Sequence, residues 1–141
     1  MIEILGVCKA FGSRQILDQM TLTVPEGMNY VIMGPSGVGK SVTLRHVIGI
    51  LEPDAGTVRV DGLDVPAMNR QQLMTLRKRM GYLFQNGALI NWLTVAENVA
   101  FALEVIGRPR SVIKTQVPAI CELVGLGDKM TKYPNQLSGG E

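Results

Sequence analysis

"GPSGVGKS", residues Gly34 to Ser41, decides how this chain is read. Its glycines and lysine keep the spacing G-x-x-x-x-G-K-S, between an apolar run, Tyr30-Val31-Ile32-Met33, and a helical pattern. In that pattern Leu44, Val47, Ile48 and Leu51 fall on one face. Glycines let the backbone curl until successive N–H groups point inward and form a nest for an anion. A helix opening directly after the loop adds its unsatisfied N–H groups and its positive dipole end to the same point.

This spacing is the P-loop pattern, and it predicts a site for a nucleoside triphosphate. Gly34, Pro35, Ser36, Gly37, Val38 and Gly39 are expected to cradle the phosphates, with Val42 in the helical turn that follows. Lys40 is placed to pair with the β- and γ-phosphates, and Ser41 to ligate Mg²⁺ through its hydroxyl. Several NTPase classes share this loop, so it does not by itself select one.

Outward from the loop the pattern is α/β. Residues Ile2 to Val7 and Thr21 to Val24 read as strands, separated by a turn at Gly12-Ser13. Tyr30 to Met33 reads as a short central buried strand. Thr57 to Val60 is a strand turned by Asp61-Gly62. Asn69 with Gln72 resembles a capping box before Leu73, Leu76 and Met80, and Tyr82-Leu83-Phe84 reads as another short strand. Beyond it the chain turns helical. Thr94 and Glu97 form a second capping-box pattern ahead of Val95, Val99, Ala102, Leu103 and Ile106. Ser111 opens a further helix that buries Ile113, Val117, Ile120 and Val124 and stops at Gly125. Pro118 inside it predicts a kink or a division into two short helices. The expected division is an ATP-binding part at 1–85 and a helical part at 86–141.

Composition narrows the function classes. A net charge of +2 over 141 residues gives no general basis for a nucleic-acid or membrane-surface partner. The basic run Arg77-Lys78-Arg79 reads as cations completing the last turn of a helix. Cys8 and Cys121 have no metal-ligand spacing, and two unlinked thiols suit a reducing cytoplasm. No apolar stretch reaches the roughly 18–20 residues that cross a bilayer, so a membrane role would come through a partner. His46, on the helix after the loop, reads as a solvated or packing residue.

The remaining motifs select among P-loop classes. Leu137-Ser138-Gly139-Gly140-Glu141, approached through Tyr133-Pro134, resembles the signature motif of ABC-type ATPases, usually LSGGQ. Phe84-Gln85 is similar to that family's Q-loop, and Phe11 to the A-loop aromatic that stacks on adenine. These elements occur in the family's order and span the chain. The resemblance implies ATP and Mg²⁺ as cofactors, Gln85 and Lys40 as catalytic-site residues, and Gln85 beside Ser41 at the metal. It also implies a head-to-tail homodimer, in which Ser138, Gly139 and Gly140 act in trans on the nucleotide held by a second ATPase subunit. The fold it implies is the N-terminal part of an ABC ATPase: an antiparallel β subdomain and a partial core sheet, then a helical subdomain.

The segments Gly49 to Gly56, Phe84 to Leu89, Leu93-Thr94-Val95 and Glu97 to Phe101 further resemble the ATPases of Mla-type, MCE-associated lipid transporters. That likeness implies an ATPase at the cytoplasmic face of the inner membrane, docked on an integral membrane permease. Phospholipid or a related hydrophobic substrate would be its cargo, with an MCE-type substrate-binding protein as a further partner. A soluble ABC ATPase without a transporter, and a nucleotide-binding module without catalysis, are the alternatives. The family's Walker B strand, D-loop and switch histidine do not occur in this sequence, so it reads as an N-terminal piece that does not hydrolyse ATP alone. Glu141 replaces the usual Gln; either its side chain points away from the phosphate site, or neighbours lower its effective charge.

Overall fold

The computed structural model describes residues 1–84 and 87–141. They pack as two compact units, Met1–Tyr82 and Leu83–Glu141.

The first unit is built on an antiparallel sheet. Strands β1 (Ile2–Phe11), β2 (Arg14–Val24), β3 (Ala55–Val60) and β4 (Leu63–Asp64) lie in the order β2-β1-β3-β4. Phe11 pairs with Arg14 across Gly12-Ser13, and Val60 pairs with Leu63 across Asp61-Gly62. Both residues of the second turn have positive φ, 50° and 76°, the twist that suits a tight hairpin. Strict alternation would send Ile4 and Val7 to opposite faces, yet both are buried. Register shifts in β1 between these residues restore the inward aim, as a bulge does. Gly56 is required there, because a Cβ on it would lie 2.3 Å from the Gly6 carbonyl oxygen.

Helices α1 (Lys40–Val47) and α2 (Arg70–Arg77) complete this unit. Ile4, Val7, Leu17, Val47, Val58, Val60, Val65 and Leu76 form its core. The capping box at α2 is present: Gln72 N–H donates to Asn69 Oδ1, and Asn69 N–H to Gln72 Oε1, both at 2.9 Å. Arg77 does not complete its own helix. Its Nε and a terminal guanidinium nitrogen each donate at 2.8 Å to the Ile48 and Gly49 carbonyls, just past the end of α1. A cation thus satisfies acceptors that the first helix leaves open.

The second unit pairs α3 (Val95–Val105) with α4 (Arg110–Leu123), followed by 3₁₀ turns at Gly127–Lys129 and Pro134–Gln136. Its core is Val95, Ile113, Val117 and Cys121. The Thr94–Glu97 capping box is present. Gly125, at φ 72°, ends α4, and Leu126 N–H returns to the Cys121 carbonyl at 2.8 Å.

Some local expectations are corrected. Tyr30–Met33 forms no strand, and Val31 and Met33 are 75% and 86% exposed. A strand is held by neighbours, and none of the four described strands runs beside it. Residues 82–84 also lie outside the sheet, with Leu83 87% exposed. The partial core sheet is therefore not built among the described residues, whereas the antiparallel subdomain is. Helix α4 is continuous through Pro118, which faces solvent at a point where a missing N–H costs one ladder bond. On α1 the buried residues are Thr43, His46 and Val47, and Leu44 is exposed. His46 is a packing residue, its Nδ1 2.7 Å from the Val42 carbonyl oxygen.

Candidate functional site

The loop from Gly34 to Gly39 leads directly into α1. Gly34, Gly37 and Gly39 take φ values of 156°, 80° and 108°, and Val38 N–H turns back to the Pro35 carbonyl. Side chains other than glycine rarely adopt such angles, which makes this curl a property of the sequence. Gly39 has a second reason to lack a side chain. A Cβ on it would meet Leu17 Cδ2 at 2.8 Å and Ile16 Cγ2 at 3.1 Å, so β2 clamps the loop where it becomes helix.

The mouth of the loop is electropositive and open. No side chain caps α1, and its first turn holds no acidic residue. Its dipole is thus left for an outside anion. Gly34 to Val38 and Ser41 are exposed, and Lys40 is half-buried. Lys40 Nζ donates to the carbonyls of Gly34 at 2.6 Å and Pro35 at 2.8 Å, so the ammonium already stands over the loop. These features fit the tail of a triphosphate. For Mg²⁺ the fit rests on the exposed Ser41 hydroxyl. Among the described residues no cluster of His, Cys, Asp or Glu could hold a metal without help from the phosphates. Gln85, the other expected metal contact, lies outside the described residues.

Phe11 ends β1 and is 48% exposed. Across the hairpin from it stands Arg14, whose guanidinium comes within 3.8 Å of a Cβ position on Gly37. The hairpin thereby brings the aromatic residue and the phosphate loop to one end of the sheet. Sequence reasoning missed Arg14. The signal was present: a two-residue turn at Gly12-Ser13 fixes Arg14 opposite Phe11. Lys9 Nζ sits 5.9 Å from the Phe11 ring centroid, donates to Asp54 Oδ1 at 2.7 Å, and reaches the Glu52 carbonyl. The bond from Lys9, with a second from the Ala10 N–H, holds the Asp54 carboxyl below the ordinary aspartate range. A separate hollow of 540 Å³, lined by Asp64, Asn69 and Arg79 among others, contains none of the expected nucleotide contacts.

In the second unit Ser138 to Glu141 forms a closed turn. Glu141 Oε2 accepts from the Ser138 backbone N–H at 2.7 Å and from its hydroxyl at 2.9 Å, while Lys129 Nζ pairs with Oε1. The Glu141 carboxylate thus folds back onto the turn and has a cation beside it. Gly139 and Gly140 are exposed, their φ angles are not positive, and a Cβ on either would meet nothing within 4 Å.

Comparison with known proteins gives the lineage. Residues 17–141 match the family described as "ABC transporter". The chain is 41% identical over 140 residues to the probable ribonucleotide transport ATP-binding protein mkl of Mycobacterium bovis, covering 99% of this chain and 39% of that protein. It is 42% identical over 143 residues to the methionine import ATP-binding protein MetN 3 of Pseudomonas fluorescens, covering 100% of this chain and 44% of the relative. Among solved structures, the ATP-binding cassette MJ0796, a dimer in a post-hydrolysis state bound to ADP and Pi, superposes with a TM-score of 0.86 at 29% identity. That superposition covers 99% of this chain and 64% of the cassette. The chain thus spans about two fifths of the length of these curated relatives. It belongs to the ABC transporter family, in the part that forms the ATP-binding domain.

Proposed function

We propose that the protein is the ATP-binding subunit of an ABC transporter, coupling ATP binding and hydrolysis to transport across a membrane. The observation that carries this reading is the loop itself: three left-handed glycines, an uncapped helix start, and Lys40 held over the opening. When the phosphates enter, Lys40 exchanges two backbone carbonyls for phosphate oxygens, a charge-assisted and stronger pairing. Arg14 adds a cation beside Gly37, and Phe11 offers apolar area to the base. Ser41 would hold Mg²⁺, whose role is to neutralise charge on the phosphates, with Gln85 as the second protein contact.

The assembly we propose is a head-to-tail homodimer. Its support is that nothing among the described residues demands glycine at Gly139 or Gly140. Glycine at an exposed position without strain or crowding suits close approach by a group from outside. The dimeric cassette with ADP and Pi supports the same reading by similarity. On its family membership we place the subunit on an integral membrane permease, at the cytoplasmic face of the inner membrane; among the described residues no helix is long and apolar enough to cross a membrane.

For the cargo we propose phospholipid or a related hydrophobic molecule, with an MCE-type protein as a further partner, on the resemblance of the segments around residues 84–101 to Mla-type ATPases. The relatives bear names for ribonucleotide, methionine and sulfate or thiosulfate transport, and these define the competing outcomes. The full-length protein, purified from membranes with whatever permease accompanies it and placed in liposomes, tests this directly. Lys40-dependent ATP hydrolysis coupled to movement of labelled phospholipid is expected. Coupling to methionine, sulfate or ribonucleotide instead would overturn the cargo, and absence of any membrane partner would overturn the transporter.

A further inference from the structure

We propose that Lys129 is a positioning residue for the Ser138–Glu141 turn: its ammonium offsets the Glu141 carboxylate and so lets an acid occupy a turn that receives phosphate. The inference rests on the nucleotide reading above. A bare carboxylate beside a triphosphate would repel it and weaken binding. Here the carboxylate has three partners. Oε2 takes two hydrogen bonds from Ser138, one from the backbone N–H and one from the hydroxyl, and Oε1 takes the Lys129 ammonium. Lys129 closes the 3₁₀ turn Gly127–Lys129, well before the motif in sequence, so the pairing comes from the fold of this unit.

The arrangement has a consequence for how the turn meets an anion. The Ser138 hydroxyl proton is directed at Glu141, and the Ser138 N–H is occupied as well. Among the described residues the amides of Gly139 and Gly140 donate to no partner, and a Cβ on either glycine would meet nothing within 4 Å. Glu141 therefore shapes the turn from behind, as a carboxylate closing a capping box does, and Lys129 cancels the charge it brings. An amide at position 141 could make the Ser138 contact with no charge to cancel, so the need for Lys129 is specific to the acid.

A double-mutant cycle on the natural full-length protein, with ATP hydrolysis as readout, tests this. Lys129→Met should raise the KM for ATP roughly two- to fivefold, the range of a partly exposed ion pair, with kcat and Tm little changed. Lys129→Arg should keep the parent's KM, and Glu141→Gln supplies the background in which there is no charge to cancel. Adding Lys129→Met to Glu141→Gln should then have no further effect. A KM unaltered by Lys129→Met, or raised as much in the Glu141→Gln background, would overturn the inference and leave the nucleotide reading standing. Should Lys129→Met alone fail to fold, Glu141→Gln with and without it decides, equal KM values supporting the pairing and unequal ones refuting it. Hydrolysis by Lys40→Ala as fast as by the parent would remove the nucleotide reading and this inference with it.

Discussion

Gly39 and Leu17 approach so closely that a Cβ on the glycine would lie 2.8 Å from Leu17 Cδ2. Strand β2 and the phosphate loop are thereby locked together at the residue where α1 begins. Gly39→Ala should cost about 1–3 kcal/mol, from strain at φ 108° together with overpacking, and should displace the loop. Urea unfolding of the parent and variant, read beside nucleotide affinity, checks both effects; unchanged values for each would refute the clamp.

Gly139→Ala should separate stability from assembly. With open space around that position, its unfolding free energy should stay within about 0.5 kcal/mol of the parent. ATP-dependent dimerisation of the full-length protein, followed by light scattering, should fall. A variant that dimerises normally would argue against a trans contact at this turn.

Acid should weaken the link between β1 and the loop after α1. The Lys9 side chain and the Ala10 N–H hold the folded-state pKa of Asp54 below its ordinary value. Such a group stabilises the fold above its unfolded pKa, about 3.9, and that contribution fades as pH falls through the lower folded value. Asp54→Asn should therefore lose stability at neutral pH and flatten the decline below about pH 4. Thermal melts of both proteins across pH 2–7 measure this, and parallel curves would contradict it.

Cys121 is fully buried in the second unit, and burial pushes its thiol above the usual cysteine pKa. It should react with a thiol reagent far more slowly than the half-buried Cys8 in the folded protein, and at a similar rate in urea. Cys121→Ser should cost about 1–3 kcal/mol, because it takes a hydroxyl out of water into an apolar core in place of the more apolar thiol. Equal labelling rates in the folded state would show the core to be open.

Much of this was legible from local chemistry. Both capping boxes, the Asp61-Gly62 hairpin and the glycines of the phosphate loop depend on residues at most a few positions apart, and the sequence carries those spacings directly. What was not legible depends on partners distant in the chain. The apolar run Tyr30–Met33 shows what could be buried, but periodicity does not say whether a neighbouring strand is there to bury it. Arg77 was read onto its own helix because the carbonyls of Ile48 and Gly49 are brought to it only by folding. Leu44 and Val124, both expected to be buried, are exposed, while Thr43 and Cys121 are buried on their helices, for a similar reason: each helix turns the face its neighbour demands. The question of how Glu141 is tolerated had an answer in Lys129, twelve residues away, which no motif comparison would single out.

The account depends most on the loop from Gly34 to Ser41 binding a triphosphate, and titration calorimetry of Mg·ATP into the full-length protein tests that most directly. Saturable, magnesium-dependent binding is predicted for the parent, with Lys40→Ala weakening it at least about tenfold through loss of a charge-assisted contact. No magnesium-dependent heat in the parent, or the same affinity in Lys40→Ala, would contradict the account.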